Sequence, residues 1–289
     1  MVWGTGEMTV RSATLNAKTT SGHQDGSIRA PIFQVDAFAD GRFTGNPAAV
    51  VVLGSFPADE VLQAVAAENN LAETAFLVSD GDGYQLRWFT PTVEVSICGH
   101  ATLASSAVVM ERLEPWRTSV VFQSRSGPLA VEQAGEGCYV MDFPASSCQL
   151  IDPPGGFAAA LGARPAEVHA SRANYLAVLG SAAEVRELRP DIASIARLGR
   201  EGVIVTAPGA APYDFTSRYF APAKGIPEDP VTGGVHCTLA PFWAGRLGKT
   251  AFLARQASQR GGDVRCAVAG DRVTLTGSCA FYLHGEIEI

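Results

Sequence analysis

From Pro31 onward the chain alternates apolar and polar positions. In PIFQVDAFAD, Ile32, Gln34 and Ala37 interleave with Phe33, Val35 and Phe38 until Gly41 and Gly45 interrupt the run. That period of two predicts a first strand and a loop. Ala48 to Leu53 is a short β-branched run and predicts a second strand, after which Pro57-Ala58-Asp59-Glu60 has the Pro and acidic residues that open a helix. The helix continues through Val61, Leu62, Val65 and Ala66 and should end near Asn69-Asn70. Thr74 to Ser79 and Tyr84 to Phe89 are strand-like runs around Asp80-Gly81-Asp82-Gly83, a hairpin signal. Val120 to Phe122, Leu129 to Glu132 and Tyr139 to Phe143 continue the strand-and-turn rhythm.

Two stretches lack this period and read as buried helices. Trp88-Phe89-Thr90-Pro91, followed by Gly99-His100-Ala101-Thr102-Leu103-Ala104, recurs as Tyr219-Phe220-Ala221-Pro222 and Val235-His236-Cys237-Thr238-Leu239-Ala240, with five more residues between the parts of the second copy. In each copy a strand ends at an aromatic-x-Pro corner, a Gly-bearing loop follows, and an almost wholly apolar helix begins. The first helix, through Val108, Val109 and Leu113, has too few polar residues for a surface helix. The second, through Leu239, Phe242, Trp243 and Leu247, has the same character. The expected fold is therefore α+β, with two pseudo-symmetric domains at 31–151 and 152–289. Each would be a curved, mostly antiparallel sheet or barrel wrapped around its apolar helix. The boundary falls at Asp152-Pro153-Pro154-Gly155-Gly156, and the last strand is free to pair with the first half.

Composition narrows the function. Of 289 residues, 47% are hydrophobic and 18% charged, enough apolar material for full cores. A net charge of -7 without a Lys/Arg cluster argues against a nucleic-acid partner. The six cysteines form no CxxC pair and no zinc-type spacing, and read as reduced cytoplasmic thiols. A metal site built from Cys98, His100, His236 and Cys237 has no structural-zinc spacing, so no metal is expected. No apolar run reaches the ~18 residues of a membrane span. The first thirty residues are rich in Ser, Thr and Gly, lack the apolar core of a signal peptide, and are expected to form a flexible extension over 1–30.

If the halves face each other, two Gly-bearing loops and two helix N-termini converge on one cleft. Free N–H groups and the positive end of the helix dipole attract carboxylates there. The amides in question lie around Gly99 and His100 in one half, and around Thr232, Gly233 and Gly234 in the other. Three titratable groups stand beside them: Glu73, His100 and Asp229. Glu73 lies between apolar residues at the entrance to a strand, where a carboxylate half removed from water suits general acid/base work. Each of the three also has an ordinary structural use, as a cap, a packing histidine or a turn residue before Pro.

GNPAAV (Gly45 to Val50), NLAETAF (Asn70 to Phe76), FTP with CGHATLA (Phe89 to Pro91, Cys98 to Ala104) and EDPVTGG (Glu228 to Gly234) occur in this order. Together they resemble the phenazine-biosynthesis isomerase family, a branch of the diaminopimelate-epimerase superfamily. The resemblance implies a site between two domains, a homodimer, a small acidic substrate, and neither metal nor organic cofactor. It makes Glu73 the acid/base, with His100 and Asp229 as its catalytic partners. It also places Asn46, Gly99, Thr232, Gly233 and Gly234 against substrate. The family often has Ser where this chain has Gly234, which bears on substrate identity more than on reaction type. The implied reaction is a proton shift in a small unsaturated carboxylic or amino acid of secondary metabolism. A dihydro-hydroxyanthranilate-like acid or an alkylproline precursor would fit. The alternatives are an amino-acid epimerase using Glu73 and Cys98 on opposite faces, and a binding protein that does no chemistry.

Overall fold

The computed structural model describes residues 27–289. The flexible extension expected over 1–30 lies outside the described residues up to position 26, and its last residues correct the expectation. The first strand, β1, begins at Arg29 rather than Pro31. Arg29 pairs with Glu288 in the ladder, and its side chain lies 3.8 Å from both Glu286 and Glu288.

The first half contains β1 (Arg29–Ala37), β2 (Asn46–Leu53), α1 (Asp59–Asn69), β3 (Glu73–Asp80), β4 (Gly83–Phe89), β5 (Glu94–Val95), α2 (Gly99–Val108), β6 (Ser119–Ser124), β7 (Gly127–Gly135) and β8 (Cys138–Pro144). A π-helical stretch, Val109–Leu113, extends α2. β9 (Gln149–Leu150) closes the first half, and the second half adds α3 (Phe157–Leu161), β10 (Glu167–Ala170), β11 (Asn174–Val178), α4 (Ala182–Glu187), α5 (Ile192–Ala196), β12 (Gly202–Pro208), β13 (Phe215–Ala221), β14 (Ile226–Asp229), α6 (Gly233–Leu247), β15 (Ala251–Gln256), β16 (Gly262–Ala269) and β17 (Arg272–Glu288). Among the described residues no helix is long and apolar enough to cross a membrane.

The local signals act as physical chemistry requires. Asp59 and Glu60 sit in the first turn of α1, where the helix dipole favours anions. Asn70 ends α1 in the left-handed conformation (φ 48°), its N–H donating to the Ala66 carbonyl. The hairpin between β3 and β4 has Gly81 at φ 59° in the first of its two loop positions, where a side chain would be strained.

A closed barrel surrounds α2. β1 pairs with β2, β2 with β3, β3 with β4, β4 with β6, β6 with β7, β7 with β8, β8 with β17, and β17 returns to β1, a ring of eight strands. Every residue of α2 from His100 to Val108 is buried. Its polar side chains tolerate this because Thr102, Ser105 and Ser106 each donate a hydroxyl to the carbonyl four residues back, at 2.6, 2.7 and 2.8 Å.

The internal repeat is visible in the connectivity. In the first half β4 passes through α2 to reach the parallel strand β6; in the second, β13 passes through α6 to reach the parallel strand β15. A parallel pair needs such a crossover, and in both halves the crossover helix is the buried one. α6 carries Pro241, which has no N–H to give the Cys237 carbonyl; the Ser146 N–H from the end of the first half supplies that bond at 2.9 Å. The second sheet runs from β17 through β16, β15, β13, β12, β11 and β10 to β9, and among the described residues no ladder closes it. β17 serves both sheets, with β8 along one edge of its first residues and β16 followed by β1 along the other. One apolar core also runs through both halves, from Leu103 of α2 to Leu239 of α6. The segment Asp152 to Gly156 joins β9 to α3. The division at residues 151/152 into two domains remains a proposal about folding units that share a strand and a core.

Leu103 is fully buried inside the closed barrel. Leu103→Ala is expected to cost about 2–5 kcal/mol of stability, read from the midpoint shift in urea unfolding with an unchanged slope.

Candidate active site

The two buried helices meet end to end. A Cβ added to Gly99 would lie 3.8 Å from the Gly233 Cα, in van der Waals contact, so the two helix starts stand directly against each other. Neither N-cap, Cys98 for α2 or Thr232 for α6, satisfies a helix N–H with its side chain. The Thr232 hydroxyl instead donates to the Asp229 carboxylate in a short contact. Two positive helix ends with free donors therefore open onto one place.

Three titratable side chains converge there. Glu73 is the first residue of β3, just beyond the left-handed end of α1, and its neighbour across the parallel ladder is Ala48. His100 is the second residue of α2, and its Nε2 lies 3.1 Å from Glu73 Oε2. Asp229 ends β14 and is tied to His100 through Asn46, whose Nδ2 donates to Asp229 Oδ1 (2.7 Å) and the Val231 carbonyl (2.8 Å) and stands 3.1 Å from His100 Nδ1. The Cys98 sulfur is 3.5 Å from the same nitrogen. Nδ1 thus faces Asn46 and Cys98 while Nε2 faces Glu73, so Nε2 is the ring nitrogen from which a proton can pass to the carboxylate. Glu73 Oε2 and His100 Nε2 are buried without an aligned hydrogen bond, so carboxylate and imidazole are within reach but not locked together.

The electrostatics separate the groups. Burial pushes the Asp229 carboxyl up to about 6, with the Glu73 charge adding to the rise and His100, Thr232 and Asn46 limiting it. Burial works against a charged His100, but Cys98 and Glu73 work for it, and the balance lies well above the ordinary histidine range. Burial, then Glu73, raises the Cys98 thiol. His236, the twin of His100 in the repeat, faces no carboxylate among the described residues. Its Nδ1 meets the Thr232 carbonyl at 2.8 Å and burial pushes it down to about 4, so it is a neutral brace for the second loop.

Glu73, Gly99, His100, Asp229, Thr232, Gly233 and Gly234 all line one cavity of about 310 Å³, which Phe143, Tyr219 and Ile226 line as well. Gly234 faces open space there, since an added Cβ would meet nothing within 4 Å. Asn46, expected against substrate, is instead fully buried behind the cavity, where it holds Asp229. The sequence reading missed three residues. Tyr219 lines the cavity and stands in the repeat itself, so it was findable. Lys224 brings a cation to the rim, paired with Glu201 at 2.6 Å. Gln256 is wholly buried and holds the second loop, accepting from the Thr232 N–H (2.9 Å) and donating to the Asp229 carbonyl (2.8 Å); no motif announces it.

Glu73, Cys98 and His100 bring ligand-type atoms within 4.8 Å of one another. His100 meets Cys98 through Nδ1 and Glu73 through Nε2, so an ion bound in the ring plane at either nitrogen would face away from the other's partner. The geometry suits proton relay better than shared coordination.

A family model described as phenazine biosynthesis-like protein matches residues 35–285. An isomerase of Pseudomonas aeruginosa is 46% identical over 256 residues, covering 89% of this chain and 97% of its own. The crystal structure of a phenazine biosynthesis protein of the PhzF family from Enterococcus faecalis aligns with a TM-score of 0.86 at 42% identity, over 90% of this chain and 99% of that one. A probable proline racemase from Agrobacterium radiobacter, 11% identical with a TM-score of 0.61 over 89% of this chain and 92% of that one, shares the fold alone. The chain belongs to the phenazine biosynthesis-like family. Within it, this kinship makes the protein an isomerase.

The raised Asp229 carboxyl has a measurable sign. The folded state holds this proton more tightly than the unfolded chain, so the group's contribution to stability is full below about pH 4 and declines up to about pH 6. Asp229→Asn removes the titration. The stability of the wild type relative to this variant should fall by up to ~3 kcal/mol between those pH values and then level off. Urea unfolding at half-unit pH steps checks this, and a flat difference contradicts it.

Proposed function

We propose that the protein catalyses a proton shift within a small unsaturated carboxylic or amino acid, with Glu73 as the acid/base. The observation that carries this reading is the 3.1 Å approach of Glu73 to His100 at the wall of a cavity where two helix N-termini converge. Glu73 takes a proton from an sp³ carbon made acidic by a neighbouring double bond and carboxylate. The same group, or His100 through its Nε2–H, returns a proton elsewhere on the conjugated system. The amides of Gly99, Gly233 and Gly234 hold the substrate carboxylate and stabilise the charge that develops. Asp229 anchors an amino or hydroxyl group or relays a proton, and Asn46 acts through it as a positioning residue. The reaction is redox-neutral and needs no electron carrier. The cavity volume and its apolar wall suit a cyclic acid such as a dihydro-hydroxyanthranilate or an alkylproline precursor, and a homodimer working in the cytoplasm goes with the family reading.

A second reading is amino-acid epimerisation with Glu73 and Cys98, to which the structure adds Cys237, so that one thiol from each half reaches the cavity. Both resist ionisation: burial raises Cys98 and pushes Cys237 up to about 12. Two neutral thiols are poor bases, which favours the carboxylate mechanism.

Glu73→Gln keeps size and some hydrogen bonding but removes the base. The variant is expected to bind substrate and lose ~10²- to 10⁴-fold in turnover, read as deuterium uptake by mass spectrometry in deuterated water. Turnover retained to within a few-fold would remove Glu73 from the mechanism. The paired replacement Cys98→Ser with Cys237→Ser should leave most of the activity. A loss equal to that of Glu73→Gln, with exchange at one carbon and no shift of double bonds, would turn the assignment to an epimerase.

A further inference from the structure

β13 and β14 have two faces. Tyr219 and Asp229 turn towards the candidate active site, while their neighbours Arg218 and Glu228 turn the other way into a separate cavity of about 750 Å³. This second cavity is lined by four arginines, Arg186, Arg189, Arg218 and Arg255, with Glu228 as the one lining carboxylate among the described residues. Such a concentration of positive charge stands out in a chain whose net charge is -7.

Two of the four are neutralised. Arg218 holds Glu228 with both arms of its guanidinium (2.7 and 2.9 Å) and donates to the Val185 and Leu188 carbonyls. Arg255 pairs with Asp263 (2.8 Å) and Asp40 (3.3 Å). The other two are not. Arg189 donates only to the Glu187 and Leu188 carbonyls, and Arg186 pairs with no carboxylate among the described residues. Buried Arg218 supplies a fixed floor, and the two unneutralised guanidiniums stand at the wall of the same cavity. Guanidinium forks match the paired oxygens of phosphates and carboxylates.

We propose that this cavity binds a small dianion, either a phosphate group or a dicarboxylate, at a site separate from the catalytic one. Its floor also holds the loop that carries Asp229. Glu228 precedes Asp229 in sequence, and Ser258, another lining residue, donates its hydroxyl to the Pro230 carbonyl at 2.7 Å. A bound dianion would therefore grip residues on both sides of Asp229 without entering the catalytic cavity.

The test uses the full chain and two probes, inorganic phosphate and malonate, against sodium chloride at equal ionic strength. Thermal unfolding and titration calorimetry are run on the wild type, on Arg186→Ala/Arg189→Ala, and on Glu73→Gln. Saturable binding of at least one probe is expected, with a rise in Tm. The double arginine replacement should weaken that binding tenfold or more, and Glu73→Gln should leave it unchanged. Phosphate binding alone would point to a phosphate-bearing ligand, and malonate binding alone to a dicarboxylate. The arginines replaced are exposed and outside the core, so the variant should fold. Absence of binding by both probes, an equal Tm rise in the double variant, or loss of binding in Glu73→Gln would overturn the proposal. The second result would mark a general salt effect, and the third would place the anion in the catalytic cavity.

Discussion

The structure depends on the end-on approach of two helix N-termini at Gly99 and Gly233. Left to themselves, two like-signed helix ends repel, each carrying an interaction of about 0.3–1 kcal/mol with a nearby charge. The chain answers with negative charge: Glu73 stands on one side and Asp229 on the other, both buried. Burial makes each carboxylate costly in turn; Asn46 and Thr232 offset that cost by donating to Asp229, and the His100 imidazole stands 3.1 Å from Glu73. The proposed catalytic constellation and the solution to an electrostatic conflict are the same set of atoms.

Rigidity around this meeting point comes from bonds between distant segments. Gln256, from the end of β15, holds the second loop by its backbone on both sides. The Ser146 N–H closes the gap that Pro241 leaves in α6. The hydroxyls of Thr102, Ser105 and Ser106 turn inward on α2 and let a partly polar helix sit inside a closed barrel. None of these bracing side chains lines the cavity, yet each fixes an element that does.

Much of this was legible in the sequence because it is local or repeated. Gly81, Asn70 and the acidic start of α1 act within a few residues of themselves, and the structure uses them as read. The repeat predicted two buried helices, and both serve as crossovers between parallel strands. What escaped is non-local. The start of β1 at Arg29 is set by a partner some 260 positions away, Glu288, and no local pattern encodes it. The burial of Asn46 behind the cavity follows from its reach across to Asp229 and Val231. Gln256 looks like any polar residue at a strand end until its partners are known.

The shared strand β17 has a consequence for how the protein is made. The barrel needs residues 272–288 as its eighth strand, while its other seven lie between residues 29 and 144. On a ribosome, those seven strands emerge on the order of ten seconds before the eighth, with the edges of β1 and β8 unpaired in the meantime. Vectorial synthesis therefore cannot finish the first half before the second, and the nascent chain passes through a stage in which two exposed strand edges are open to any extended segment, the period in which a chaperone has most to shield.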